Sequence, residues 1–291
     1  MACLHNSEDF ERWLIPHLQK HVEVYPFDYR TVGSTLDVKL SKTVSLLDVD
    51  SVFVVKGESI KPETIIGLNE IGIKTGCWTI DDHAHPELFL KPYTHIWTPS
   101  PRLIDDYKKR GYKYVHELAF YVEPSAFKPQ PQEKIAISFL GTRYDGREEK
   151  ITKLREAGFP VRVFGDQWTI QNDGRITSYN DCIDVRFNTM VNLNIHQATM
   201  RQVGALNTKM YDVPASGGFM VTDYFPEVLR KFNADQVALY NPEDNASLLS
   251  VVKRYLANPK ERQEVIERAR VEIFKNHTAE KRAEQILREF K

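Results

Sequence analysis

The sequence is poor in cysteine, in long apolar runs and in surplus charge of either sign. Its three cysteines, Cys3, Cys77 and Cys182, are scattered without C-x-x-C spacing. They form neither a disulfide framework nor a zinc knuckle. No run approaches the ~18 uncharged apolar residues that a membrane span needs. Residues Met1 to Asn6 lack the basic region and apolar stretch of a signal peptide, so the expected location is the cytoplasm. A net charge of −1 over 291 residues speaks against a dominant polyanion-binding role. The first 130 residues hold 15 Lys+Arg against 18 Asp+Glu, and the remainder 24 against 22. That slight basic excess suits a diphosphate and falls short of the basic stripe of nucleic-acid binders.

What the chain does hold is apolar material for two cores, with 42% hydrophobic and 27% charged residues. At roughly 100–200 residues per domain, its length points to two domains. Ser51 to Val55, Ile73 to Ile80, Tyr93 to Thr98 and Tyr114 to Leu118 read as strands. The stretches from Lys61 to Gly72 and from Pro101 to Arg110 read as the helices between them. Such strand–helix alternation predicts a parallel sheet covered on both faces. From Glu123 to Gln132 the pattern breaks, because three prolines rule out both helix and central strand. The domain boundary is therefore expected at 124–132. The alternation then restarts, with strands at Ile135 to Leu140, Val161 to Phe164, Val191 to Ile195, Phe219 to Thr222 and Val237 to Tyr240. A helix runs from Gly146 to Ala157. Asn241-Pro242-Glu243-Asp244 predicts another helix start, with Asn as cap and Pro in the first turn. The remaining residues read as a charged helical tail broken at Asn258-Pro259 and Asn276-His277-Thr278.

Open parallel sheets bind ligands beyond the carboxyl ends of their strands. Gly141, Thr142, Arg143 and Arg147 follow one strand, where a glycine lets backbone approach a ligand and basic groups hold phosphate oxygens. Gly165 and Trp168 follow the next strand and are candidates to receive a nucleobase. Asn194 ends a third strand, beside His196. Lys209 and Asp212 share a helical face, suited to a diphosphate and to ribose hydroxyls, or simply to an i,i+3 ion pair. Gly217 and Gly218 end that helix. In the first half, Asp81, Asp82 and His83, with His85 beyond, follow a strand and are polar enough for proton transfer. Their spacing matches no recognised metal-ligand pattern, so no metal is expected. A solvated turn capped by Asp81 is the alternative.

Taken in order, these segments resemble the CgeB-type, spore-maturation-protein-like glycosyltransferases. The likeness runs through Val54-Val55-Lys56-Gly57, Gly76 to Asp82, Trp97-Thr98-Pro99-Ser100 and Phe139-Leu140-Gly141 with Arg147. It continues in Ala215-Ser216-Gly217-Gly218-Phe219 and Asn276-His277-Thr278. The resemblance implies the α/β GT-B fold: two Rossmann-like domains whose parallel sheets face an interdomain cleft, with a C-terminal helical tail. The acceptor-side domain would then be 1–123 and the nucleotide-sugar domain 133–277, with 278–291 crossing back to the first. It implies a metal-independent transfer of a hexose or pentose from an NDP-sugar co-substrate, a UDP-sugar being the leading choice. In that picture Lys209, Arg143 and Arg147 hold the diphosphate, Asp212 the ribose, and Gly165 and Trp168 the base. Asp81 or Asp82 activates the acceptor hydroxyl of a glycan, small molecule, protein or modified DNA base. A non-catalytic nucleotide-sugar-binding or coat-assembly protein is the alternative class. Two departures stand out. Asp212 replaces the family's glutamate, and a helix opening at Ser7 suggests that the first strand is missing.

Overall fold

A computed structural model describes residues 1–5, 10–29, 36–83, 91–127, 134–144, 146–176 and 178–290. The chain divides into two compact units, Met1–Ala119 with Ala279–Lys291, and Phe120–Thr278.

The first unit is built on six parallel strands: β1 (Ala2–His5), β2 (Tyr25–Asp28), β3 (Ser51–Val55), β4 (Lys74–Trp78), β5 (His95–Thr98) and β6 (Tyr114–Glu117), in the order β2-β1-β3-β4-β5-β6. Every residue of β3 is buried, as a strand covered on both faces requires. Pro62 opens the helix Pro62–Glu70 from an extended Lys61, as its fixed φ favours. The first strand is present, contrary to expectation. β1 lies between β2 and β3 with all four residues buried. Four residues at a chain start show too little alternation to be read as a strand. Ser7 and the acids after it lie outside the described residues. β2 tolerates Pro26 because it is the edge strand of the sheet.

The C-terminal helix Ala279–Glu289 belongs to this first unit. Its Arg282 Nε donates to the Ala119 carbonyl at 2.8 Å, and Gln285 Nε2 donates to that of Glu117 at 2.8 Å. Trp97 Nε1 donates to Glu289 Oε2 at 2.7 Å. Phe290 then packs edge-on against Trp97 and His95, both at 5.1 Å. Gly76 makes room for this. A Cβ there would strike the Trp97 ring and come within 3.0 Å of Phe290.

The second unit holds β7 (Ile135–Leu140), β8 (Val161–Phe164), β9 (Thr189–Asn194), β10 (Met220–Asp223) and β11 (Ala238–Tyr240), all parallel, in the order β11-β10-β9-β7-β8. Ile137, Phe139, Val163, Val191, Leu193 and Val221 meet Ile151 and Leu154 of the helix Arg147–Glu156 in one core. The contacts divide before the proline cluster, because Val122 N donates to His277 O at 2.9 Å and pairs alongside Thr278. Residues 128–132 of that cluster lie outside the described residues. Asn241 is not the helix cap. Its Oδ1 accepts from Glu243 N at 3.1 Å, a local turn that competes with the helix, and Asp244 instead caps Asn245–Ala257 through Ala246 N at 2.8 Å. Among the described residues no helix is long and apolar enough to cross a membrane.

Replacing Phe290 with alanine empties a site lined by the rings of Trp97, His95 and Phe53. The expected cost to the first unit is ~3–5 kcal/mol, read as a lower denaturant midpoint. A midpoint equal to wild type would show that the C-terminal helix is not part of this core.

Candidate functional site

The carboxyl ends of β7 to β11 carry most of the polar residues singled out above. Gly165 sits at φ 138°, where a side chain is strained, and a Cβ there would run into the Gly141 carbonyl. The two glycine loops are bonded together: Gly141 N donates to Phe164 O at 2.7 Å, and Arg143 N to Asp166 O at 3.0 Å. Trp168 Nε1 donates to Gly141 O at 3.0 Å, and its ring meets that of Phe139 edge-on at 5.5 Å. Gly141, Gly165 and Trp168 therefore share one surface.

Two cations meet on Phe139. The Lys209 ammonium lies 4.4 Å from the ring centroid and the Arg147 guanidinium 5.2 Å from it. Arg147 is buried, donating from Nε to Ile195 O and from Nη1 to Thr142 O, both at 2.8 Å. Neither cation has a carboxylate within ion-pair distance among the described residues. Lys209 is also close to Gly141, where a Cβ would stand 3.1 Å from Nζ. Burial pushes the Arg147 guanidinium down to about 10. Burial, with the charges of Arg147 and Arg186 added, pushes the Lys209 ammonium well below its usual range. An aromatic face attracts a cation by roughly 0.5–2 kcal/mol. That falls short of the several kcal/mol that burying an unpaired charge costs.

The other expected residues divide. Asn194 pairs its amide reciprocally with Asn207, at 3.1 and 2.8 Å, fixing the entry to the helix Lys209–Ala215. The i,i+3 ion pair between Lys209 and Asp212 does not form. Asp212 instead accepts from Arg186 Nη1 at 3.1 Å and from Tyr179 OH at 3.5 Å. Thr142 contributes its carbonyl to Arg147. Arg143 does not join the Arg147–Lys209 pair, because its side chain lies toward solvent with Glu148 at 3.0 Å. Gly217 and Gly218 do not join either. They follow the far end of the helix, ahead of β10, where a Cβ on Gly218 would press on Arg186 O at 2.9 Å. Gly218 serves close packing, and Gly217 takes the left-handed backbone at φ 78° that follows the helix end.

Sequence reasoning missed Asp223, Tyr240 and the role of His196. His196 Nδ1 lies 2.7 Å from Asp223 Oδ1, and Arg201 Nη1 donates to Asp223 Oδ2 at 3.3 Å. Asn207 N donates to His196 Nε2 at 3.3 Å. Because Nε2 accepts from an amide, the ring proton is on Nδ1 and points at Asp223. Tyr240 is buried at the end of β11, and its hydroxyl has no hydrogen-bond partner among the described residues. The only available signal was position: each of these residues ends or directly follows a strand.

In the first unit the expected proton-transfer group comes apart. Asp82 is 1% exposed and accepts from Thr79 Oγ1 at 2.7 Å, Thr98 Oγ1 at 2.5 Å, Ser100 Oγ at 2.6 Å and Tyr107 OH at 3.2 Å. Four hydroxyls saturate the carboxylate, so as a catalytic base it is corrected to a structural hub. Burial raises its pKa despite these donors. Asp81 is partly exposed and pairs with Lys56 Nζ at 2.9 Å. Lys56 sits at φ 70° and Gly57 at φ 72°. His83 is half-buried beside them, and His85 lies outside the described residues. Among the described residues no three of His, Cys, Asp and Glu converge as metal ligands.

A family model described as glycosyl transferase-like matches residues 147–288. No curated protein sequence matches the chain. Among solved structures, Anabaena HepE in complex with UDP and glucose is similar at 9% identity, covering 99% of this chain and 98% of that one, TM-score 0.69. A glycosyltransferase from Rickettsia africae is similar at 10% identity over 99% and 97%, TM-score 0.64. The α,α-trehalose 6-phosphate synthase of Burkholderia multivorans is similar at 15% identity over 97% and 81%, TM-score 0.63. The fold is GT-B. Within it, both GT-B domains of this chain carry a parallel sheet, and the unpaired cations belong to the second.

Asp82→Ala should orphan four buried hydroxyls and lower the unfolding free energy by ~3–5 kcal/mol, measured by denaturant titration. A stable Asp82→Ala protein that loses only turnover would return Asp82 to the chemistry.

Proposed function

We propose that the protein is a glycosyltransferase whose second unit binds a nucleoside-diphosphate sugar. The observation that carries this reading is the pair of cations, buried Arg147 and half-buried Lys209, set on one ring with no carboxylate within ion-pair distance among the described residues. A diphosphate supplies the missing negative charge, and those cations stabilise the charge that grows on the leaving group as the glycosidic bond breaks. They do so without a metal. Arg143, on the outer side of the loop, is left out of this role.

The base rests against the surface of Gly141, Gly165 and Trp168, where Trp168 is fixed by its bond to the Gly141 carbonyl. Asp212, one methylene shorter than the glutamate common in the resembled family, receives the ribose hydroxyls. It does so while Tyr179 OH and Arg186 Nη1 remain on its two oxygens. The donor is a UDP-sugar, in keeping with the HepE complexes that hold UDP or UDP-glucose. The sugar is a hexose or a pentose. In the first unit, Asp81 engages the acceptor hydroxyl, since Asp82 is saturated. The acceptor is a glycan, small molecule, protein or modified DNA base.

Calorimetric titration with UDP tests this directly. Lys209→Ala should weaken binding about tenfold to a hundredfold, the loss of one charge-assisted contact. The pH dependence has a defined sign. Lys209 has a lowered pKa in the free protein, and a bound diphosphate favours its ammonium form. Binding therefore takes up a proton, and affinity falls as pH rises through the lowered pKa. Lys209→Arg should abolish that slope. Unchanged affinity in Lys209→Ala would move the nucleotide elsewhere.

A further inference from the structure

We infer that His196, oriented by Asp223, sets the affinity for the nucleotide without touching it, by holding the turn that presents Lys209. This rests on the donor reading above and adds a positioning residue to it.

The chain of contacts is continuous. His196 is 0% exposed, as is Asp223. Its backbone N reaches both Asp223 oxygens, at 3.2 and 3.3 Å, while its ring Nδ1–H donates to Oδ1 at 2.7 Å. Arg201, the other charged group bonded here, donates to the His196 carbonyl at 3.2 Å and to Asp223 Oδ2 at 3.3 Å. The Phe225 ring closes the remaining side edge-on at 5.0 Å. The imidazole thus has one position and one tautomer. It presents an Nε2 lone pair, and the Asn207 amide takes it at 3.3 Å.

Asn207 is the residue that this bond positions. Its side chain is locked to Asn194, and its carbonyl accepts from Met210 N at 3.1 Å, closing the first turn of the helix that begins at Lys209. Lys209 follows Asn207 by two residues, so the placement of its ammonium over Phe139 depends on where Asn207 is fixed. The half-buried Lys209, without an ion pair among the described residues, is repelled by Arg147 and by Arg186. Its turn must therefore be held from behind, and the bond from Asn207 to His196 does this. Removing it lets the ammonium drift toward water, where it is better solvated but worse placed.

Side-chain isosteres separate this role from simple core packing. Glutamine carries an acceptor near the position of Nε2. Asparagine keeps a donor near Nδ1 and lacks that acceptor. Two readouts are needed, the calorimetric dissociation constant for UDP and hydrogen exchange of the Asn207 amide measured without nucleotide. His196→Asn should speed exchange at Asn207 and weaken UDP binding about fivefold to tenfold, whereas His196→Gln should stay within about threefold of wild type in both. If His196→Asn does not fold, Asp223→Asn, which releases the tautomer, should show the same losses. Equal impairment in His196→Gln and His196→Asn, or unchanged exchange at Asn207, overturns the inference. Wild-type protein that fails to bind UDP while Asn207 exchange responds as stated overturns the donor reading and leaves the positioning contact standing.

Discussion

Two cations set against the Phe139 ring, with no carboxylate within ion-pair distance among the described residues, are the constraint around which the second unit is arranged. Burying a cation costs several kcal/mol unless something compensates it, and the aromatic ring compensates only in part. The hydrogen bonds to Arg147 come from neutral groups, and the Asp223 carboxylate acts on both cations from beyond ion-pair distance. Backbone carbonyls of Thr142 and Ile195 hold Arg147, and a helix entry locked by two asparagine amides holds Lys209. The glycines at 141 and 165 let the two loops and the Lys209 ammonium approach more closely than side chains would allow. Such an arrangement is costly to stability and makes physical sense where an anionic ligand completes it.

The first unit handles buried charge in the opposite way. Asp82 is 1% exposed, yet four hydroxyls satisfy it, and Asp81 is met by Lys56. A saturated charge is a device for stability, and an unsaturated one is a device for binding. That contrast separates the two sets of charged residues better than their sequence neighbourhoods do, since both follow strand ends.

Much of the architecture was legible because buried parallel strands read as apolar runs. β3, β7 and β8 fall within a residue of their expected limits, and the helix from Arg147 begins at the expected glycine. β1 was not legible, because four residues at the start of the chain carry no periodicity. The cap at Asn241 was misplaced because asparagine turns and asparagine caps look alike until the following amides are seen. Within the candidate site, Gly141, Gly165, Trp168, Arg147 and Asn194 were singled out for their places at or after strand ends, and Lys209 for its place at a helix start. Arg143, Gly217 and Gly218 carry the same residue types but point elsewhere, and spacing does not encode direction. Asp82 was misread for a related reason, since its four partners come from residues 79 to 107 and meet only in the fold.

The central claim is that a diphosphate completes the Arg147–Lys209 pair. A crystal structure of the protein with bound UDP tests it most directly. The account predicts phosphate oxygens within hydrogen-bonding distance of Lys209 Nζ and of the Arg147 guanidinium, with the uracil against the Gly165–Trp168 surface. A diphosphate lodged against Arg143, or anywhere that leaves Lys209 and Arg147 without an anion, would contradict it.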